Sequence, residues 1–180
     1  MRAFIAADIP EETVKTFPDV KGLKRYGRIS PVRGENIHIT LFFLGEIDED
    51  EALIAGACME GAEPESFAVN LSGVSWFTKQ KKPSVVFVEG ESERLSEYRE
   101  RLGKLLHTEG FSPDKKPFVP HATLARVRSI DARKGFMDEL QRITEGFEPS
   151  SFTLPSLTLY RSDMNDKGVC YTPLKSITLS

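Results

Sequence analysis

Three histidines occur in the 180 residues, and two of them share a setting. One opens His38-Ile39-Thr40-Leu41; the other opens His121-Ala122-Thr123-Leu124, 83 residues further on. On a strand, residues i and i+2 point to the same face. Each motif therefore projects one imidazole and one hydroxyl side by side. Imidazole has an unperturbed pKa of about 6.5, so of two such rings one can act as base while the other, protonated, acts as acid. Threonine hydroxyls can donate to the non-bridging oxygens of a phosphate, whose charge grows in the transition state. If the two strands face one cleft, the four side chains suit phosphoryl chemistry without a metal. His107 has Glu109 at i+2 and falls at the end of a helical stretch, where it reads as a partner for the helix dipole.

The elements around the two motifs repeat as well. At the same offset, Ile47-Asp48 falls on Ile130-Asp131, and Phe4-Ile5 falls on Phe87-Val88. Shifted by two more, the stretch from Glu63 to Phe67 falls near that from Glu148 to Phe152. Matches in this order point to a duplicated unit. Apolar and β-branched runs at 2–7 and 85–89 read as strands. Ser92 can cap a helix whose stripe is Leu95, Tyr98, Leu102, Leu105 and Leu106. The equivalent stretch 11–25 contains Pro18 and reads as two short helices or one kinked helix. Gly27 and Gly110 suit helix C-termini.

Strands at 36–44 and 118–127 carry the two histidines. Asp48 and Asp131 are expected to cap the next helices, which would bury Leu53, Ile54 and Ala57 in one case and Met137, Leu140 and Ile143 in the other. Third strands follow at 67–76 and 152–160. The expectation is a single domain of two lobes, built from strand-helix-strand-helix-strand units at about 1–78 and 84–161, with a last strand at about 168–179.

Composition sets outer bounds. Lys plus Arg is 24 and Asp plus Glu is 27, a net charge of −3, which excludes a protein that coats nucleic acid through general basicity. Local basic groups do occur: Lys21, Lys24, Arg25, Arg28 and Arg33, then Lys79, Lys81 and Lys82, then Lys115 and Lys116. They are solvated faces, or they flank a cleft and focus a field on an anionic ligand. Two cysteines cannot make a disulfide framework, and neither has metal-ligand spacing; Cys58 reads as a small core residue. The first ten residues read as a strand rather than a signal peptide, and no apolar run is long enough to cross a bilayer. A cytoplasmic monomer is the expectation.

At the two histidines the sequence resembles the 2H phosphoesterase superfamily, and within it the RNA 2′,3′-cyclic phosphodiesterase branch, also called 2′-5′ RNA ligase. The resemblance rests on Pro31-Val32-Arg33-Gly34-Glu35-Asn36-Ile37-His38-Ile39-Thr40-Leu41-Phe42-Phe43-Leu44-Gly45 and on Lys116-Pro117-Phe118-Val119-Pro120-His121-Ala122-Thr123-Leu124-Ala125-Arg126. The opening stretch 2–6 and the late stretch 157–162 are similar too. The resemblance implies a bilobal α+β fold with antiparallel sheets facing a central cleft. It implies opening of a ribose 2′,3′-cyclic phosphate at an RNA end to a 2′-phosphate, with no metal and no cofactor, and tRNA fragments are one source of such ends. It carries catalysis to His38 with Thr40 and His121 with Thr123, and phosphate contact to Arg126.

Read from its position, Arg126 has the wrong parity for that role. On a regular strand it lies opposite His121 and Thr123, so it needs a β-bulge, strong twist or the strand's end to reach the cleft; otherwise it stays on the outer sheet face. Phe42 has the parity of His38, which makes it a candidate to stack on a terminal base or else a core aromatic; Trp76 and Phe77 are further candidates. His121 is assigned as base toward water and His38 as acid toward the leaving oxygen, with the reverse equally allowed. The same centre would support 2′-5′ ligation as the reverse reaction. Alternatives are an RNA-end binding module without turnover, and a related diesterase for another cyclic phosphate or a 2′-5′ oligonucleotide.

Overall fold

A computed structural model describes residues 1–180. Along the chain run β1 (Arg2–Asp8), α1 (Glu11–Val14), a 3₁₀ helix (Lys21–Tyr26), β2 (Gly27–Pro31), a 3₁₀ turn (Gly34–Asn36), β3 (His38–Glu46), α2 (Glu49–Gly61), β4 (Ala68–Lys79) and β5 (Lys82–Glu91). Then follow α3 (Glu93–Thr108), β6 (His121–Ile130), α4 (Arg133–Gly146), β7 (Ser150–Thr153), β8 (Ser156–Asn165) and β9 (Gly168–Thr178). The fold is α+β, as expected. All pairings are antiparallel, in the order β7-β4-β5-β6-β3-β1-β8-β9, with β2 also on β6.

The sheet has a seam. β3 and β6 share a single residue pair, Ile39 with Ala122, the middle residues of the two His-x-Thr motifs. About that pair the antiparallel direction sets His38 toward Thr123 and Thr40 toward His121. The two motifs thus lie side by side at the point where the lobes join.

The lobes do not coincide with the two sequence repeats. Stretch 152–160, expected as one strand, is two. Pro155 has no N–H to donate to a ladder, and the chain breaks there: β7 pairs with β4, whereas β8 pairs with β1 in the other lobe. Stretch 11–25 breaks at Pro18 into α1 and the 3₁₀ helix. β2 was not expected; Gly27 ends the 3₁₀ helix, as expected of it, and also opens β2, where a Cβ on it would run into Ser129 O on β6. Gly110 follows α3 with φ +96°, as a helix C-terminal glycine does.

Most of the α3 stripe is buried as read: Leu95, Tyr98, Leu102 and Leu106 are all 0% exposed, whereas Leu105 is only half-buried. Each buried leucine stabilises the fold by about 1.5–3 kcal/mol. Ser92 caps α3 at Leu95 N, and Asp48 forms a reciprocal capping box with Glu51 on α2. Two expectations fail. α2 buries Ala55, Cys58 and Met59, while Leu53 is 75% exposed and Ile54 and Ala57 also face out. Apolar residues run almost all round this helix, so spacing alone leaves its face undetermined; Tyr98 of α3 selects it by donating to Met59 O at 2.8 Å. On α4, Phe136 replaces Met137 in the buried set with Leu140 and Ile143, and the capping position is Ala132 rather than Asp131. The N–H groups of Asp131 and Ala132 both go to Tyr26 O. No helix is long and apolar enough to cross a membrane.

Candidate active site

β3 and β6 depart from strict alternation at the same place. Ile39, Leu41 and Phe42 are buried in one; Ala122, Leu124 and Ala125 are buried in the other. Two adjacent buried residues mark a β-bulge. β1 pairs Ala6 with Thr40 and Ile5 with Phe42, passing over Leu41. β5 pairs Phe87 with Thr123 and Val86 with Ala125, passing over Leu124. An extra residue reverses the facing of everything after it.

That reversal resolves the parity of Arg126, which lines the cleft together with His121 and Thr123. It also corrects the expectation for Phe42. Its side chain is 4% exposed in the core, under the Arg99 guanidinium, and cannot stack on a ligand base. Phe43, by contrast, is 69% exposed on the cleft wall. Phe43 and Arg126 stand at equivalent positions of the two motifs.

The cleft has a volume of about 510 Å³ and gathers His38, Thr40, Phe43, His121, Thr123 and Arg126 from both lobes. Each imidazole is oriented by a backbone carbonyl two residues earlier. His38 Nδ1–H donates to Asn36 O, and His121 Nδ1–H donates to Val119 O, both at 2.7 Å. A carbonyl can only accept, so Nδ1 carries the proton and Nε2 is left for chemistry. His38 Nε2 meets Thr40 Oγ1 at 2.8 Å. Asn36 is itself tied to β9 through Nδ2–H to Val169 O at 3.2 Å, and Arg33 donates to the same carbonyl at 2.8 Å. Arg33 is therefore a strut under the first motif.

Aromatic rings fix both imidazoles. His38 stacks on Phe4, centroids 4.9 Å apart, with Tyr171 edge-on at 5.5 Å. His121 meets Phe77 at 5.1 Å and Phe87 at 5.2 Å, both edge-on. Phe77 thus reaches the cleft as one of the expected candidates, whereas Trp76 does not line it. Phe4, Phe87 and Tyr171 were not singled out from the sequence, although the repeat offset pairs Phe4 with Phe87.

Burial pushes the His38 imidazole below its ordinary value, and the positive charges at Arg126 and His121 push it the same way. The Asn36 carbonyl and the Asp8 carboxylate oppose that shift. Asp8, at the end of β1, pairs with His38 and accepts hydrogen bonds from Ser156, Thr158 and Tyr160 of β8, each at 2.6 Å. No group of three or more His, Cys, Asp or Glu side chains is assembled to hold a metal.

The family description "2′-5′ RNA ligase superfamily" matches residues 10–166. An RNA 2′,3′-cyclic phosphodiesterase of Thermotoga maritima is 33% identical over 97% of this chain and 93% of its own length. One of Aeropyrum pernix is 32% identical over 81% of this chain and 84% of its own. Among solved structures, Escherichia coli LigT complexed with 3′-AMP superposes with a TM-score of 0.72 at 26% identity, covering 99% of this chain and 98% of that one. With both motifs in place and the match running through nearly the whole sheet, the chain belongs to the 2′-5′ RNA ligase superfamily.

Proposed function

We propose that the protein hydrolyses the 2′,3′-cyclic phosphate at an RNA end to a 2′-phosphomonoester, using His38 and His121 as an acid–base pair. The observation that carries this reading is the Ile39–Ala122 bridge, which sets both His-x-Thr pairs on one cleft. The relatives named RNA 2′,3′-cyclic phosphodiesterase supply the substrate class.

In this mechanism His121 Nε2 takes a proton from water as the water oxygen bonds to phosphorus. The P–O3′ bond breaks with its electron pair on O3′, and His38 delivers a proton there. The two imidazoles end with their protons exchanged, and one water is consumed. His121 makes no hydrogen bond through Nε2 and is free to take the proton of a water; His38, beside the carboxylate of Asp8, has a counter-charge for its protonated form. Thr40 and Thr123 donate to the non-bridging oxygens, and Arg126 supplies a fixed, forked positive charge to them. Phe43 offers its face to the terminal base. No metal takes part. Run backward with a ribose hydroxyl in place of water, the same steps make a 2′-5′ linkage; water in vast excess favours hydrolysis.

The test is product mapping. A defined oligoribonucleotide ending in a 2′,3′-cyclic phosphate, incubated with the protein and a chelator, should yield the 2′-phosphate alone. An unchanged oligonucleotide that nonetheless binds would make the protein an RNA-end binding module. Loss of turnover on chelation would reinstate a metal, and turnover restricted to small cyclic nucleotides or 2′-5′ oligonucleotides would reassign the substrate.

A further inference from the structure

The carbonyl at each bulge is met by a donor from outside its strand pair. Leu124 O accepts from the backbone N–H of Val32, at 2.8 Å, where the chain leaves β2. Leu41 O, at the same place in β3, accepts from a side chain: Nε–H of Arg99, on α3, at 2.9 Å. A guanidinium thus does for the first motif what backbone does for the second.

Arg99 has two further contacts. Its guanidinium carbon lies 4.3 Å from the ring centroid of Phe42 and 4.7 Å from that of Phe118. Phe42 is also gripped by Gly103, one turn along α3, where a Cβ would stand 3.0 Å from Phe42 Cζ. Phe118 adjoins Val119, whose carbonyl orients the His121 ring. One planar cation therefore touches the bulge that turns Phe43 into the cleft and the strap that aims His121.

We infer that Arg99, which does not line the cleft, is a positioning residue for both halves of the site. It holds the β3 bulge, and with it Phe43, and it holds the Phe118–Pro120 strap, and with it His121. Lysine cannot replace it, because the role joins contact with two rings to an Nε–H donor at Leu41 O that lysine lacks at that place. The inference rests on the phosphodiesterase reading for its kinetic consequence; its structural consequence stands apart from turnover.

The test compares Arg99→Met and Arg99→Lys with the wild-type chain. With three histidines, each ring can be followed by NMR through a pH titration. In Arg99→Met the His121 signals and their titration midpoint should move, while those of His107, further along α3, should hold. On the cyclic-phosphate oligonucleotide kcat/KM should fall about 10- to 100-fold, with a lower kcat from His121 and a higher KM from Phe43. Arg99→Lys should resemble Arg99→Met rather than wild type.

A wild-type His121 titration in Arg99→Met, with kcat/KM changed by less than about twofold, overturns the inference. If Arg99→Met does not fold, Phe118→Leu removes one ring and leaves the Leu41 bond in place. His121 signals should then shift while those of His38 hold, and unchanged His121 signals would sink the idea. A wild-type protein without turnover refutes the phosphodiesterase reading alone, since the histidine titrations still decide the part played by Arg99.

Discussion

His38 stands on the stacked ring of Phe4, hydrogen-bonded to Thr40, with Asp8 beside it on the neighbouring strand. His121 stands between two ring edges, and no hydrogen bond joins it to Thr123. The motif, the carbonyl behind Nδ1 and the bulge after threonine are common to both. What differs is what the bulge delivers to the cleft: Phe43 from one lobe and Arg126 from the other. The repeated motif puts two imidazoles at one seam. The surroundings make the pair unequal, so that one lobe presents a flat apolar face and the other a fixed charge. A substrate with a base at one end and a phosphate at the other fits that division.

The largest expected effect tests the common part. His38→Ala or His121→Ala should each lower kcat/KM on the cyclic-phosphate end by about 10²- to 10⁴-fold while leaving the fold intact. If either variant turned over at near the wild-type rate, the comparison would lose its basis.

The next effect tests the divergence. Phe43→Ala should raise KM about tenfold through lost base stacking, with little change in stability, since its ring is mostly in solvent. Phe42→Ala should do the opposite, costing about 3–5 kcal/mol in denaturant unfolding because it empties part of the core. A stable Phe42→Ala protein with weakened substrate binding would mean that the β3 bulge is misplaced.

The smallest effect concerns inequality between the rings. Burial holds the His38 pKa below its ordinary value and Asp8 holds it up. The pH profile of kcat/KM, which reports the free enzyme, should therefore have a limb below the usual histidine range. Asp8→Asn removes the negative charge, so His38 should lose its proton at still lower pH and that limb should move to lower pH. A limb that moved up, or did not move, would take Asp8 out of the site.

Much of the site was legible before any fold. His38, Thr40, His121 and Thr123 follow from residue type and i, i+2 geometry, and all four line the cleft. The requirement for a bulge at Arg126 was legible too, as a conflict between its parity and the resemblance. No such conflict marks Phe42, where the equivalent bulge sits. The α2 face was illegible because an apolar run such as Ala52 to Met59 satisfies more than one helical stripe. The splitting of 152–160 was marked by Pro155, but nothing local shows that the two pieces pair in opposite lobes.

The sequence by itself determined which chemistry is available, because two imidazoles and two hydroxyls at i and i+2 share faces through backbone geometry that needs no distant partner. Only the tertiary structure decided that the faces meet, that Phe43 rather than Phe42 enters the cleft, and that Arg126 does as well. Strand parity is local only until a bulge resets it. The bulge at Leu41 is held by Arg99, 58 residues away along the chain, and the one at Leu124 by Val32. No local rule registers a donor arriving from so far along the chain, so the facing of residues after each bulge becomes definite only when the helix and strand that hold it have packed.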